Sequence, residues 1–193
     1  MSGNETAAVS YRIDASRSRF LVRAEASGLL SVFGHNPTIA VRGLGGDVRF
    51  VPGTLASASL LVLVKADSLA VVGDVSEKDR REIDRAMREE VLEAVRYPEI
   101  VYMSRSVSAN RTAENQYRIT INGDLSLHGV TRNRPINAQI TVNDQSLLAR
   151  GEFALRQTDY NIKPVSAVGG TIRVKDELKL SFDISAERAE ARD

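Results

Sequence analysis

The stretch that most constrains the fold of this chain covers residues 117–128, where apolar and polar residues alternate without a break. The odd positions are apolar or glycine, namely Tyr117, Ile119, Ile121, Gly123, Leu125 and Leu127. A two-residue period is typical of a β-strand with one dry and one wet face. At ~3.4 Å per residue this strand would span roughly 40 Å, about twice the usual length. We therefore expect a closed or strongly coiled barrel, in which Gly123 would provide a bend.

The same alternation returns along most of the chain. It predicts strands over residues 9–13, 20–26, 100–107, 136–142, 147–155 and 178–186. Residues 60–64 are continuously apolar, which predicts a strand buried on both faces. Residues 39–41 and 48–50 flank a glycine-rich segment and predict a hairpin. Strands joined mainly as hairpins close most economically into an up-and-down antiparallel barrel.

Residues 76–96 depart from the strand pattern. They contain no glycine or proline, and Ile83, Met87 and Val91 recur at helical spacing. Ser76 is a suitable N-cap, and a Tyr-Pro step follows the segment. We expect one α-helix over residues 76–96 that covers an opening of the barrel, which would place Met87 and Val91 against any ligand inside.

Composition limits the class of protein. A length of 193 residues suits one β domain, with a core over about residues 9–187. The net charge of +1 supplies no overall field for nucleic acid, and the absence of cysteine excludes disulfides and thiolate sites. No apolar run reaches the ~18 residues of a membrane-spanning helix, and the first residues do not resemble a secretory leader, so we expect a cytoplasmic protein.

The interior of such a barrel is either packed with side chains or open to one apolar ligand. The chain has no tryptophan, and its dry faces carry several small residues, which would leave room for a long, thin apolar molecule. These residues are Ala24, Ala26, Gly123, Ala138, Ala149 and Gly151. A flattened sandwich would use the same small residues, so both interpretations stay open.

Only two residues could supply imidazole chemistry, His35 and His128. Each adjoins a glycine, which indicates strand ends or turns. Two distant histidines do not make a metal site, and no metal or other cofactor is expected. The alternative to binding is an enzyme that uses His35 or His128, with Asp159, on a lipid or small molecule at the barrel mouth.

Arg156, Asp159 and Tyr160 follow the predicted strand over residues 147–155. One interpretation is a closed turn in which Arg156 and Asp159 pair with each other. The other places Arg156 and Tyr160 at a barrel mouth, where they would hold the polar head of a ligand.

Several motifs stand in order along the chain. The most specific covers residues 123–131, Gly-Asp-Leu-Ser-Leu-His-Gly-Val-Thr, and residues 97–100, Tyr-Pro-Glu-Ile, precede it with Ser104. Three further elements are Tyr11-x-Ile-Asp14 with Ser18-x-Phe20, Gly43 with Gly46-Asp-Val-x-Phe50, and Arg156-x-x-Asp-Tyr-x-Ile162. Together these motifs resemble the YceI-like family, and the resemblance covers roughly residues 9 to 187.

This resemblance implies an extended lipocalin-like antiparallel β-barrel with one helix, whose elongated lumen holds a polyisoprenoid or similar lipid. We therefore expect a non-catalytic protein that binds and sequesters or transports a polyisoprenoid or isoprenoid quinone, with a homodimer left open. A barrel packed solid would instead be an interaction module. The expected ligand contacts are Phe33, His35, Asn36, Met87, Val91, Ile119, Ile121, Phe153, Arg156, Tyr160 and Phe182.

Overall fold

The structure, a computed structural model, describes residues 7–28, 37–167 and 172–189. The strands are β1 (Val9–Ile13), β2 (Arg19–Gly28), β3 (Thr38–Val41), β4 (Leu44–Val51), β5 (Thr54–Lys65), β6 (Leu69–Val72), β7 (Glu99–Ala113), β8 (Gln116–Leu127), β9 (Val130–Asn133), β10 (Ile136–Val142), β11 (Ser146–Arg156), β12 (Ser166–Ala167) and β13 (Ile172–Arg188). The helical elements are α1 (Glu77–Ala86), a π-helical turn (Met87–Val91) and 3₁₀ turns at Ala66–Ser68 and Gln157–Tyr160.

Eight strands form a closed antiparallel barrel in the order β1-β4-β5-β7-β8-β10-β11-β13. The ring closes where β13 pairs with β1, with Tyr11 opposite Arg188. Closure satisfies the backbone groups that an open sheet would leave at its two edges. The expectation of an extended lipocalin-like antiparallel barrel with one helix is confirmed.

Three strands extend the wall beyond the closed ring. β1 and β2 pair with successive stretches of the same edge of β13. β3 pairs with the other edge of β2, and β6 pairs with β3. The predicted hairpin of residues 39–41 and 48–50 is therefore wrong, because β3 pairs with β2 and β6 while β4 pairs with β1 and β5. Gly46 allows a close approach between strands instead: a Cβ there would lie 2.0 Å from the Leu61 carbonyl oxygen, and φ at Gly46 is +137°.

β8 has the long two-faced geometry that its sequence predicts. Ile119, Ile121, Leu125 and Leu127 are buried, and the residues between them are partly exposed. Gly123 also faces inward, where a Cβ would lie 2.6 Å from Cζ of Tyr102. Gly123 therefore makes room for the Tyr102 ring, a requirement that alternation alone does not reveal.

The apolar run over residues 60–64 is not buried on both faces. Its outward residues pair with β7, Leu61 opposite Met103 and Leu63 opposite Val101. Leu63 is 36% exposed and Met103 is 57% exposed. A run of apolar residues does not distinguish a strand between two layers from one whose outer face remains in contact with solvent.

The helix is shorter than the predicted span of residues 76–96. It begins as expected after Ser76, whose Oγ accepts a hydrogen bond from the Asp79 backbone N–H at 3.2 Å. After the π-helical turn at Met87–Val91 the chain reverses through Glu93, where φ is +45°. This reversal directs the chain into β7, so the helical period cannot continue to residue 96.

The helix takes the place of a strand along the outer edge of β6. Asp84 Oδ1 accepts the Val71 backbone N–H at 2.8 Å, and Arg80 Nη1 donates to the Val71 carbonyl at 2.7 Å. Arg80 Nη2 also donates to the Gly73 carbonyl at 3.1 Å. The side chains of Asp84 and Arg80 thus bond backbone groups that would otherwise remain unsatisfied at a sheet edge.

In the described ranges, no helix is long and apolar enough to cross a membrane.

Candidate functional site

The barrel encloses a cavity of about 610 Å³. All eight strands of the ring contribute inward side chains to its wall, as do β2, β3 and β6. The helical segment adds Ile83, Ala86, Met87, Val91 and Leu92. The expectation of one helix that covers the barrel is confirmed. The helix lies beside β6, and residues between 83 and 92 contribute to the cavity wall there.

The wall of this cavity is almost entirely apolar. Among the described residues that line it, none is Asp, Glu, Lys, Arg or His, and the polar side chains are those of Ser59, Tyr102 and Gln157. The Tyr102 hydroxyl donates to the carbonyls of Ile121 at 3.1 Å and Arg134 at 2.9 Å. Burial of Tyr102 raises its pKa to about 12, so the phenol stays neutral and bonded to the wall.

Some of the small residues on the dry faces do leave open volume, and others do not. Ala24, Ala138 and Ala149 line the cavity. Gly151 instead lies against an aromatic ring, since a Cβ there would be 2.5 Å from Cζ of Phe182. The side chain of Ala26 lies outside what the structure describes.

Three phenylalanines from three strands form one aromatic cluster in the wall. Phe20 and Phe182 stack with ring centroids 6.1 Å apart, and Phe153 meets Phe20 edge-on at 6.4 Å. All three are partly exposed and line the cavity. They provide a broad apolar surface against which a hydrocarbon chain can pack.

Six of the predicted contact residues lie on the cavity wall: Met87, Val91, Ile119, Ile121, Phe153 and Phe182. Their contact with a ligand stays a prediction. Phe33, His35 and Asn36 lie outside the described residues.

Arg156 and Tyr160 are not part of the cavity wall. Arg156 is exposed, and it does not pair with Asp159, whose carboxylate lies 3.6 Å from Nη2 of Arg134. Tyr160 is 0% exposed, and its hydroxyl has no hydrogen-bond partner among the described residues. The expected ion pair between Arg156 and Asp159 is therefore wrong, because Asp159 pairs with Arg134. Contact of Arg156 or Tyr160 with a ligand stays a prediction, although neither side chain lines the cavity.

Gln157 is the residue that sequence reasoning missed. It lies on the wall, is 4% exposed, and donates from Nε2 to the Lys175 carbonyl at 3.0 Å. The signal was present in the alternation of β11, where Phe153 and Leu155 face inward. One further step of the same two-residue period reaches residue 157.

His128 is held between two segments away from the cavity wall. Its Nε2 lies 2.7 Å from Oε2 of Glu93, and its Nδ1 lies 3.3 Å from the Tyr160 carbonyl oxygen. The Tyr97 ring packs on the imidazole with centroids 4.5 Å apart. His128 thus connects the turn after the helix to the end of β8.

In the described ranges, no group of three or more Asp, Glu or His side chains could hold a metal ion.

A salt bridge supports the β13 bulge that carries Lys175. Glu25 on β2 accepts from Nζ of Lys175 at 2.7 Å and of Lys179 at 2.6 Å. These hydrogen bonds hold the pKa of Glu25 down at about 2. The register of β13 against β2 shifts between Val174 and Leu178, so the two lysines clamp the irregular part of the strand to its neighbour.

Solved structures with the same fold share little sequence with this chain. Burkholderia cenocepacia BcnA matches with a TM-score of 0.67 at 16% identity, covering 90% of this chain and 98% of that one. A polyisoprenoid-binding domain from Saccharophagus degradans, implicated in plant cell wall breakdown, matches with a TM-score of 0.66 at 12% identity, covering 93% of this chain and 98% of that one. The YceI protein of Campylobacter jejuni matches with a TM-score of 0.57 at 14% identity, covering 79% of this chain and 85% of that one. No curated protein matches the chain.

The family comparison covers nearly the whole barrel. Residues 11–186 match the YceI-like domain, a span that begins in β1 and ends in β13, the two strands whose pairing closes the ring. This chain therefore belongs to the YceI-like family.

Proposed function

We propose that this protein binds one long apolar lipid, such as a polyisoprenoid or an isoprenoid quinone, and sequesters or transports it without changing it chemically. The observation that carries the proposal is the 610 Å³ cavity, whose described lining residues include no charged side chain. Each methylene that moves from water into such a cavity contributes about 0.8 kcal/mol. A chain of many methylenes can therefore offset the cost of association with few polar contacts.

Two further observations favour binding over catalysis. The Saccharophagus degradans neighbour is described as a polyisoprenoid-binding domain, and this chain shares its fold. In this chain both ring nitrogens of His128 lie within hydrogen-bond distance of protein atoms, and His128 does not line the cavity. An imidazole engaged in this way is suited to hold two segments together.

Purification followed by native mass spectrometry and organic extraction tests the proposal. We expect a lipid to be retained by the protein, or a prenyl lipid to bind when added to extracted protein. A protein that is consistently empty and has no affinity for prenyl lipids would contradict the proposed function.

A pair of alanines on β11 provides a matched test of where the lipid sits. Ala149 lines the cavity, whereas Ala154 on the same strand is exposed. Ala149→Phe should lower the affinity for a prenyl lipid at least tenfold because the new ring occupies ligand volume, and Ala154→Phe should leave it unchanged. Equal effects of the two substitutions would place the lipid outside the barrel.

A further inference from the structure

The polar side chains of the cavity wall differ in what they can offer a ligand. Ser59 is exposed, and the Tyr102 hydroxyl is engaged by the Ile121 and Arg134 carbonyls. The single O–H of Tyr102 is used by these carbonyls, so among the three Gln157 is the buried side chain that still has a donor to offer. A primary amide has two N–H donors and an oxygen with two lone pairs. In the part of the chain that the structure describes, the Gln157 amide makes one hydrogen bond, to the Lys175 carbonyl.

The position of Gln157 is fixed by its neighbours. Asp176 accepts the Thr158 backbone N–H at 2.8 Å through Oδ1 and the Thr158 hydroxyl at 2.7 Å through Oδ2. The Gln157 carbonyl accepts the Ile162 backbone N–H at 3.1 Å. With the Lys175 bulge clamped to Glu25, the amide is held from both sides, which is the preorganisation that a binding group requires.

The surroundings of Gln157 select against charge. Its neighbours on the wall, Leu155 and Ile162, are 5% and 4% exposed, and no described lining residue is cationic. An ionised group placed there would be desolvated without a counter-charge, which is strongly unfavourable. A hydroxyl or carbonyl oxygen has a much smaller desolvation cost. Either oxygen can accept from the N–H of Nε2 that does not bond the Lys175 carbonyl, and a hydroxyl can also donate to Oε1.

We propose that Gln157 is the polar subsite of the cavity and hydrogen-bonds an uncharged oxygen, a hydroxyl or a carbonyl, on the bound lipid. This inference rests on the proposed function and adds the chemical class of the head group. The lipid is then a neutral prenyl alcohol, ketone or quinone whose oxygenated end lies beside the 3₁₀ turn at Gln157–Tyr160. A prenyl diphosphate could also accept from Nε2, but its charges would lose water here with no cation among the described lining residues to offset that cost.

The test compares dissociation constants for two C20 lipids, geranylgeraniol and the corresponding hydrocarbon that lacks the hydroxyl. The variants are Gln157→Met, which removes the amide at similar length, and Leu155→Met, which changes shape at a neighbouring apolar position. For each protein we take the ratio of the dissociation constant for the alcohol to that for the hydrocarbon. The two lipids differ in solvation by the same amount for every protein, so this difference cancels when the ratios are compared. We expect this ratio to rise about three- to tenfold in Gln157→Met, as the loss of one hydrogen bond implies, and to be unchanged in Leu155→Met.

Each result decides between the two proposals. An unchanged ratio in Gln157→Met, with both lipids bound, overturns the role of Gln157 and leaves the proposed function standing. Binding of neither lipid by the wild-type protein overturns both. Wild-type protein that binds geranylgeranyl diphosphate more tightly than geranylgeraniol contradicts the neutral subsite.

A measurement on the wild-type protein keeps the inference testable if Gln157→Met does not fold. The ¹⁵N side-chain resonance of the Gln157 amide should shift when geranylgeraniol is added and shift less with the hydrocarbon. Equal shifts with the two lipids would show that the amide does not contact the hydroxyl and would refute the inference.

Discussion

The contact between the helix and the outer edge of β6 gives a sharp prediction. Asp84→Ala removes the acceptor of the Val71 backbone N–H, and Val71 is 1% exposed, so water cannot readily replace the carboxylate. A buried donor left without a partner costs about 1–3 kcal/mol. The better helix propensity of alanine returns about 0.5 kcal/mol. We expect the free energy of unfolding to fall by roughly 0.5–2.5 kcal/mol, which lowers Tm by about 1–10 °C in a domain of this size.

Urea denaturation of the wild type and three variants measures this effect. Asp84→Asn keeps an oxygen acceptor and should lose less than Asp84→Ala. Arg85→Ala on the same helix breaks only exposed ion pairs, with Glu89 and Glu90, and should cost about 0.5 kcal/mol or less. Hydrogen exchange at the Val71 amide should accelerate in Asp84→Ala. If Asp84→Ala is as stable as Arg85→Ala and its Val71 amide exchanges no faster, the helix does not stabilise the edge of β6.

Three further predictions concern separate parts of the barrel. The folded-state pKa of Glu25 is lowered to about 2 from 4.5, so the Glu25 carboxylate stabilises the protein above pH 4.5 and this stabilisation is lost as the pH falls towards 2. The difference in urea midpoint between wild type and Glu25→Gln should therefore shrink between pH 4.5 and pH 2. Gly123→Ala should destabilise the protein by about 1–3 kcal/mol through collision with Tyr102, whereas Gly45→Ala, with no atom within 4 Å of its Cβ, should be nearly neutral in thermal unfolding. His128→Asn can keep the positive φ but not the hydrogen bonds, so calorimetry should show lower stability while lipid affinity is unchanged.

The sequence predicts best those features that depend on a repeated local pattern. The period of β8 identified its inward face, because every second residue of a strand in a closed wall must face the interior. The start of the helix was also predictable, since the hydrogen bond of Ser76 involves only residues of the first turn.

Features that depend on distant partners were not predictable from local patterns. Gly46 and the glycines near it resemble a turn, but glycine is required at Gly46 by the Leu61 carbonyl on β5. Likewise, nothing local distinguishes Gly151, which makes room for the Phe182 ring, from Ala149, which borders open volume. The site residue Gln157 could be found by extending the period of β11, but its importance depends on the apolar residues that the fold brings around it.

The pairing of β13 with β1 has a consequence for the order of folding events. Tyr11 and Arg188 face each other across the closing seam, although almost the whole chain separates them in sequence. Contacts of such long range carry a large loop-closure entropy and form slowly. Until this seam forms, the apolar wall is an open, curved sheet with exposed edges and is prone to aggregation. A lipid that fills the cavity would therefore stabilise the closed barrel and slow its unfolding. The bound lipid would then complete the hydrophobic core after the barrel has closed.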